Sequence, residues 1–219
     1  MKIISHATEK LFRLVALLVL LALPLAAQEP CGVDFPHDAN PTAITDDDIC
    51  NFHQVDPQAF RGGRPRSSAY PKLQQLGIRT IINLEEGEHS ENEREVITRL
   101  NETLKPEERI DFISFPVSQT QIEKTGIPNG EVKELFRLIR GARKPAFVHC
   151  YYGRDRTGAV ITLYRMLYNE MSYADAFEEA LHYKFSSEDS GLKRTIHHYK
   201  NPQRLESLLA PAQSVATGN

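Results

Sequence analysis

A chain of 219 residues, 41% hydrophobic and 25% charged, reads as an ordinary soluble globular protein with one domain, a real core and short appendages. Its formal charge of -3 and isoelectric point near 6.2 exclude an overall attraction to nucleic acid or to anionic membranes, so any anion selectivity must be local.

In chain order, Lys2, Lys10 and Arg13 precede an uncharged, leucine-rich stretch from Leu14 to Ala27, followed by polar Gln28 and Glu29. This pattern predicts a secretory signal peptide over residues 1–27, giving a periplasmic or secreted product. The apolar stretch falls short of the roughly 20 residues a membrane span needs, so no stable span is expected after cleavage; an uncleaved membrane anchor is the alternative. Gln28-Glu29-Pro30 separate Cys31 from the apolar core, which argues against a lipid-attached cysteine.

Residues 28–50 read as an irregular arm, and residues 51–209 as the domain. Of three cysteines, Cys31 and Cys50 lie near the mature N-terminus and Cys150 stands alone. A Cys31–Cys50 disulfide is expected in an oxidising compartment; closing a loop of about 20 residues, it contributes roughly 3 kcal/mol. Phe60-Arg61-Gly62-Gly63-Arg64-Pro65 has the form of a strand end entering a tight turn, with Ser67 or Ser68 capping a helix that ends before Gly77. The β-branched run Ile78 to Leu84 is a strand. A helix opening at Ser90 and running to about Leu104, a strand from Ile110 to Val117, and a helix capped by Asn129 and reaching Ile139 follow. Pro145 to Val148 is a short buried strand, and from Gly158 the apolar spacing is helical. Ser172 to Asp175 forms a capping box, with helices over Tyr173 to Tyr183 and about Gly191 to Leu209, and residues 210–219 form a disordered tail. Alternation of this kind predicts an α/β fold with a largely parallel sheet and helices on both faces.

Between the last strand and its helix lies Val148-His149-Cys150-Tyr151-Tyr152-Gly153-Arg154-Asp155-Arg156-Thr157-Gly158. A loop entering a helix N-terminus offers unpaired amides and the positive end of the helix dipole, which suit a phosphate dianion. The same field favours a Cys150 thiolate. Arg156 brings a planar fork able to hold two phosphoryl oxygens. Thr157 can offer its hydroxyl to the sulfur as the thiolate leaves, and His149 can orient the loop backbone. A buried structural cysteine beside a surface arginine is the bland account, and the whole constellation stands against it.

At these residues the chain resembles the protein tyrosine phosphatase superfamily, whose signature is His-Cys, five residues, Arg, then Ser or Thr; His149, Cys150, Arg156 and Thr157 match, with Gly153 and Gly158 in place. The block Asn51 to Leu84 is similar to the first part of compact dual-specificity-type bacterial phosphatases. The resemblance implies a dual-specificity phosphatase-like fold, a cysteinyl-phosphate intermediate that water hydrolyses, no cofactor and no metal. It covers roughly Asn51 to Leu209.

Relatives of this kind take their general acid from an aspartate on a loop ahead of the nucleophile strand. The corresponding segment here, Pro116 to Gly130, holds no aspartate, and its only carboxylate is Glu123. Asp155, inside the loop, is the other candidate: facing a thiolate and a phosphate, like-charge repulsion can keep it protonated. Its Gly-x-Asp-Arg-Thr setting is similar to that of phosphoinositide and lipid phosphatases in the superfamily. Asp155 ranks slightly above Glu123, and an Asp155 that only pins Arg156 is the plainer alternative.

Arg154 on the rim, with Arg61, Arg64, Arg66 and Lys124 near the mouth, suits multiply phosphorylated ligands, while Tyr151 and Tyr152 can stack on an aryl group or pack under the loop. Phosphorylated proteins, phosphoinositides and inositol phosphates are therefore the candidate substrates, acted on by a monomer. A non-catalytic phosphate-binding module is the second reading; it accounts for the missing loop aspartate but not for the retained Cys150 and Arg156. The acidic run Glu85 to Glu95 reads as a solvated turn and helix face, His197-His198 as helix surface, and Asn101-Glu102-Thr103 as a glycosylation sequon.

Overall fold

The computed structural model describes residues 44–210, apart from 187 and 189. The expected leader, most of the arm, Cys31 and the tail from Pro211 lie outside the described residues. Among the described residues, no helix is long and apolar enough to cross a membrane.

Five short strands form one sheet: β1 (His53–Asp56), β2 (Ala59–Gly62), β3 (Thr80–Asn83), β4 (Asp111–Ser114) and β5 (Ala146–His149), in the order β1-β2-β5-β3-β4. All neighbours run parallel except the antiparallel β1–β2 pair at one edge. Period-2 alternation sends successive side chains to opposite faces. Phe60, Ile81 and Phe147 join one core cluster, while Ala59, Ile82 and Val148 join the other.

The first cluster is covered by α1 (Ala69–Gln75) and α2 (Glu88–Glu102), through Ala69, Tyr70, Leu73 and Ile97. The second is covered by α3 (Asn129–Gly141), α4 (Asp155–Tyr168), α5 (Tyr173–His182), α6 (Gly191–His198) and α7 (Pro202–Leu209). On α3, Val132, Leu135, Phe136 and Ile139 fall at the spacing of one helical face and are all buried. The helix α4 is buried almost all round, from Thr157 to Met166, and sits at the centre of its layer. The fold is the α/β arrangement of helices on both faces of a mainly parallel sheet.

Several boundaries differ from the sequence reading. The helix expected at Ser90 begins at Glu88 after Gly87, because Gly87 has φ +85° and marks the turn; the Ser90 hydroxyl instead meets that of Ser114 at 2.8 Å. The strand expected to Val117 ends at Ser114. Asn129 is the first residue of α3 rather than its cap, and its side chain accepts from the Tyr199 hydroxyl at 2.7 Å, tying α3 to the end of α6. The single helix expected over Gly191 to Leu209 is two, since Pro202 carries no N–H to continue the ladder and Asn201 caps a new start by accepting from Gln203 N. Ser68 precedes α1 without capping it and is directed to Asp48 instead. Ser172 caps α5 as expected, accepting from Asp175 N.

The end of the arm, residues 44–50, packs on the domain: Ile44 and Ile49 are buried in the first cluster, and Asp48 binds Lys72 Nζ at 2.7 Å. Asn101 is clasped to Ile110, donating to its carbonyl and accepting from its N–H at 2.8 and 2.9 Å, so a glycan there competes with a structural contact.

Candidate active site

Gly62, His149 and Asn83 lie in register at the carboxyl ends of β2, β5 and β3, so the segments leaving these three strands meet at one edge of the sheet. That is where open parallel sheets place their ligands. Cys150 follows β5 directly, is 4% exposed, and is a free cysteine. Cys50 is disulfide-bonded.

The loop from Cys150 to Arg156 is seated on the segment after β2 and on the residues just before β1. Three successive loop carbonyls are held from that side. Tyr151 O accepts from Arg64 N at 3.0 Å, Tyr152 O from Asn51 Nδ2 at 2.7 Å, and Gly153 O from Arg61 Nη2 at 2.8 Å. A trans peptide carries its N–H opposite its carbonyl. Fixing these three carbonyls toward β2 therefore turns the N–H groups of Tyr152, Gly153 and Arg154 the other way, into the bowl of the loop.

The approach is close enough to demand glycine. A Cβ on Gly153 lies 2.4 Å from the Gly62 carbonyl carbon, and Gly153 has φ +69°. One on Gly63 lies 2.9 Å from Tyr151 O. Asn51 adopts φ +54°, the left-handed region that asparagine tolerates better than most residues.

At the far end of the loop, Asp155 opens α4 and Arg156 follows in its first turn. The Nε atoms of Arg154 and Arg156 are buried and have no hydrogen-bond partner among the described residues. Buried donors are nearly always satisfied, so two such groups on the loop that carries the inward amides suit an anion. Thr157 is fully buried, its hydroxyl 3.4 Å from Gly62 O. Gly158 packs under Phe185.

The Asp155 carboxylate accepts from Ser186 N at 2.8 Å, so it leans on the α5–α6 connection rather than pinning Arg156. Glu123 sits exposed on a π-helical turn, Gln121–Thr125, with its carboxylate held by Gln119 Nε2 at 2.6 Å.

On the β3 side, His149 is fully buried and its carbonyl accepts from Leu84 N at 2.9 Å. Its Nε2 lies 3.0 Å from Glu93 Oε1, at charge-contact distance though misaligned for a hydrogen bond. Glu93, 4% exposed, also accepts from Tyr70 Oη at 3.1 Å and from Asn83 Nδ2 at 2.6 Å. Burial, and next the Glu93 carboxylate, push the Tyr70 hydroxyl far above the ordinary phenol range. Asn83 Oδ1 in turn accepts from Glu85 N, and the Glu85 carboxylate grips Arg64 in a bidentate pair. The acidic run read as a solvated face thus supplies two buried carboxylates to the support of the site. Residues 90, 93 and 97, all buried on one face of α2, carry the helical spacing that betrays Glu93.

The rim is less basic than the sequence suggests. Arg61 is 1% exposed and lies under the loop, and Arg64 is neutralised by Glu85. Tyr151 and Tyr152 stand exposed at the mouth, 48% and 45%, with ring centroids 4.4 Å apart edge to face, so they do not pack under the loop. Arg64 lies over the Tyr151 ring at 4.5 Å and Arg154 over the Tyr152 ring at 4.9 Å. Sequence reasoning missed Asn51, Asn83, Glu85 and Glu93 as parts of the site and placed Arg61 on the wrong side of it.

Known proteins resemble this chain in sequence and fold. The dual specificity protein phosphatase TpbA of Pseudomonas aeruginosa is 24% identical over 174 residues, 78% of this chain and 69% of its own. The inositol diphosphatase DSP2 of Oryza sativa subsp. japonica is 27% identical over 134 residues, 61% of each chain. The crystal structure of P. aeruginosa TpbA superposes with a TM-score of 0.55 at 21% identity, covering 77% of this chain and 93% of that one. The core catalytic domain of the PP-IP phosphatase SIW14 from S. cerevisiae gives 0.54 at 19%, covering 75% and 96%. Identities this low speak to the fold. Residues 48–216, by contrast, match the tyrosine phosphatase family itself, a span that takes in every strand and helix described above, so the chain belongs to that family, as a phosphatase of the dual-specificity type.

Proposed function

We propose that this chain is an exported, cysteine-dependent phosphatase that hydrolyses phosphomonoesters of proteins through a cysteinyl-phosphate. The observation that carries the reading is the pair of buried, unpartnered Nε donors on Arg154 and Arg156, on the same loop whose amides are turned inward after Cys150. The dianion binds in that bowl. The Cys150 thiolate attacks phosphorus, the phosphorus–oxygen bond to the leaving group breaks, and the departing oxygen takes a proton from Asp155. Water then attacks the same phosphorus while giving a proton back to the Asp155 carboxylate, the sulfur–phosphorus bond breaks, and the thiolate returns with inorganic phosphate released and Asp155 protonated again. Arg156 follows the equatorial oxygens through both steps. Asp155 is favoured over Glu123 as donor because it belongs to the loop itself and is fixed by Ser186 N.

For substrate class, TpbA points to phosphoproteins and DSP2 to inositol phosphates. The rim supports the former. Two exposed tyrosine rings suit a flat aryl group, and of the five cations anticipated there Arg61 is buried and Arg64 paired, which takes two of the five from a polyphosphorylated ring. Export rests on the basic, then leucine-rich character of residues 1–27.

The test is phosphate release by the reduced, mature chain from an aryl phosphate, phosphopeptides, inositol phosphates and phosphoinositides, beside Cys150→Ser. Turnover should vanish in that variant while phosphate binding persists. Binding without turnover in the parent chain sinks the enzyme reading in favour of a phosphate-binding module, and a preference for inositol phosphates sinks the substrate class. Asp155→Asn should slow alkyl phosphates about 100-fold and acidic phenol esters far less, with Glu123→Gln near neutral; the reverse order moves the proton donor to Glu123.

A further inference from the structure

Among the described residues Arg61 is the largest side chain to be almost fully buried, and its position is unusual for a guanidinium. It projects from β2 opposite Val148, two residues before Cys150 on the neighbouring strand. One Nη donates to Gly153 O at 2.8 Å, and the group lies 3.7 Å over the ring of Tyr183, itself buried. Its Nε has no partner, and among the described residues no carboxylate pairs with it. Glu179, the acidic group facing it from α5, is engaged by Arg165 at 2.8 Å.

A buried charge without a counter-ion is costly to keep, and a hydrophobic side chain of similar volume usually serves stability as well or better. A cation held in this way beneath an anion-binding loop has a use for its charge. We propose that Arg61 is a positioning residue of the phosphate loop: it fixes the Gly153 carbonyl outward and supplies, from beneath, the positive charge that faces the Cys150 thiolate and the bound phosphoryl group. The role rests on the phosphatase reading and adds to it a second arginine, outside the signature, acting through the loop rather than on the substrate.

Burial lowers the Arg61 pKa to about 10, opposed by Tyr183, Glu179 and Cys150, so the group stays charged across the working range of a thiolate. Burial pushes the Tyr183 hydroxyl up to about 12, so the ring beneath it stays neutral there. The other ionisable groups around the nucleophile are Arg154, Asp155 and Arg156 at the start of α4, Arg165 further along it, and the His149–Glu93 contact on the β3 side.

The test is the pH dependence of Cys150 alkylation by iodoacetamide in the full chain, followed by mass spectrometry of the Cys150 peptide, with protection by inorganic phosphate and the thermal midpoint recorded alongside. Arg61→Met should raise the alkylation midpoint by about one pH unit and weaken phosphate protection about tenfold, without lowering the thermal midpoint. Arg61→Lys, which restores a charge without the fork, should return the alkylation midpoint while recovering protection only in part. An unchanged midpoint and unchanged protection in Arg61→Met overturn the proposal, as does a lowered thermal midpoint with a parental alkylation profile. Should the Met variant not fold, Arg61→Gln, which keeps an amide donor for Gly153 but no charge, carries the same criterion. None of these readouts needs turnover. An Arg61-dependent profile in a chain that releases no phosphate sinks only the enzyme, and phosphate release with an Arg61-indifferent profile sinks only this role.

Discussion

The nucleophile loop is held from two sides by opposite means. On the β2 side a buried cation, Arg61, grips the Gly153 carbonyl with no carboxylate paired to it among the described residues, and backbone groups of residues 50–64 complete the wall. On the β3 side a buried carboxylate, Glu93, collects Tyr70, Asn83 and His149. In the second network Glu93 accepts from Tyr70 and Asn83 and lies against His149, all of them buried with it, so it acts as a structural pin between α2 and the strand ends. Nε of Arg61 and Oδ1 of Asn51 have no hydrogen-bond partner in the first, and neither ring nitrogen of His149 has one in the second, so the walls differ in their charges: the Glu93 carboxylate has donors, whereas among the described residues no carboxylate pairs with Arg61. A buried carboxylate that collects donors rigidifies a fold, and a buried cation without a paired carboxylate marks where stability has been set aside for another purpose. The contrast assigns stability chiefly to one wall and loop electrostatics to the other.

The strongest way to break that contrast is Glu93→Ala. Removing the carboxylate strands the Tyr70 hydroxyl and the Asn83 amide in the core, at a cost of about 3 kcal/mol in chemical denaturation. Arg61→Met should cost little by the same measurement. Equal losses from the two variants erase the distinction between the walls.

Gly153→Ala sharpens the other half. Its Cβ meets the Gly62 backbone at 2.4 Å and its φ of +69° is unfavourable, so the loop must lift away from the β2 wall. Displacement by an ångström or so lowers kcat/KM about 100-fold, with the larger part in kcat. A folded Gly153→Ala chain with parental kcat shows that the contacts of this wall do not position the amides.

How much of this was legible in the sequence follows from how local each feature is. The loop was readable because Cys150, Gly153, Arg156 and Thr157 are contiguous and their spacing is itself the geometry. The strands at Ile78 to Leu84 and Pro145 to Val148 were readable because their β-branched and apolar residues fill both faces of a buried sheet. The walls were not, because Asn51, Arg61, Glu85 and Glu93 reach the loop from three separate segments that only the sheet order brings together. Composition also misled: a run dense in glutamate reads as solvated unless its helical phase is set beside Ser90 and Ile97, and an arginine next to a turn reads as rim unless the register of β2 on β5 is known. Helix ends failed where tertiary contacts took the capping side chains, as Asp48 takes Ser68 and Tyr199 takes Asn129.

The smallest effect concerns what steadies the β2 wall from behind. Cys50 O accepts from Gly63 N, and Asn51 clasps Tyr152, so the segment before β1 must itself be anchored. Asp48 does this, accepting from Lys72 Nζ at 2.7 Å and from the N–H and hydroxyl of Thr45 at 3.0 Å each. Lys72 first, then Thr45, hold its carboxyl down to about 2 from an ordinary 3.8. The folded-state value lies below the unfolded one, so this stabilisation is complete above 3.8 and is lost as pH falls from there through about 2. Asp48→Asn should accordingly lower the thermal midpoint by about 3 °C at neutral pH, with the gap to the parent chain closing in acid below the unfolded-state value. Because Asp48 touches the arm and α1 but not the loop, the Cys150 alkylation profile of this variant should stay parental. A shifted profile makes the anchoring segment part of the electrostatic wall, and a gap that persists in acid assigns the loss to packing instead of to the charge on Asp48.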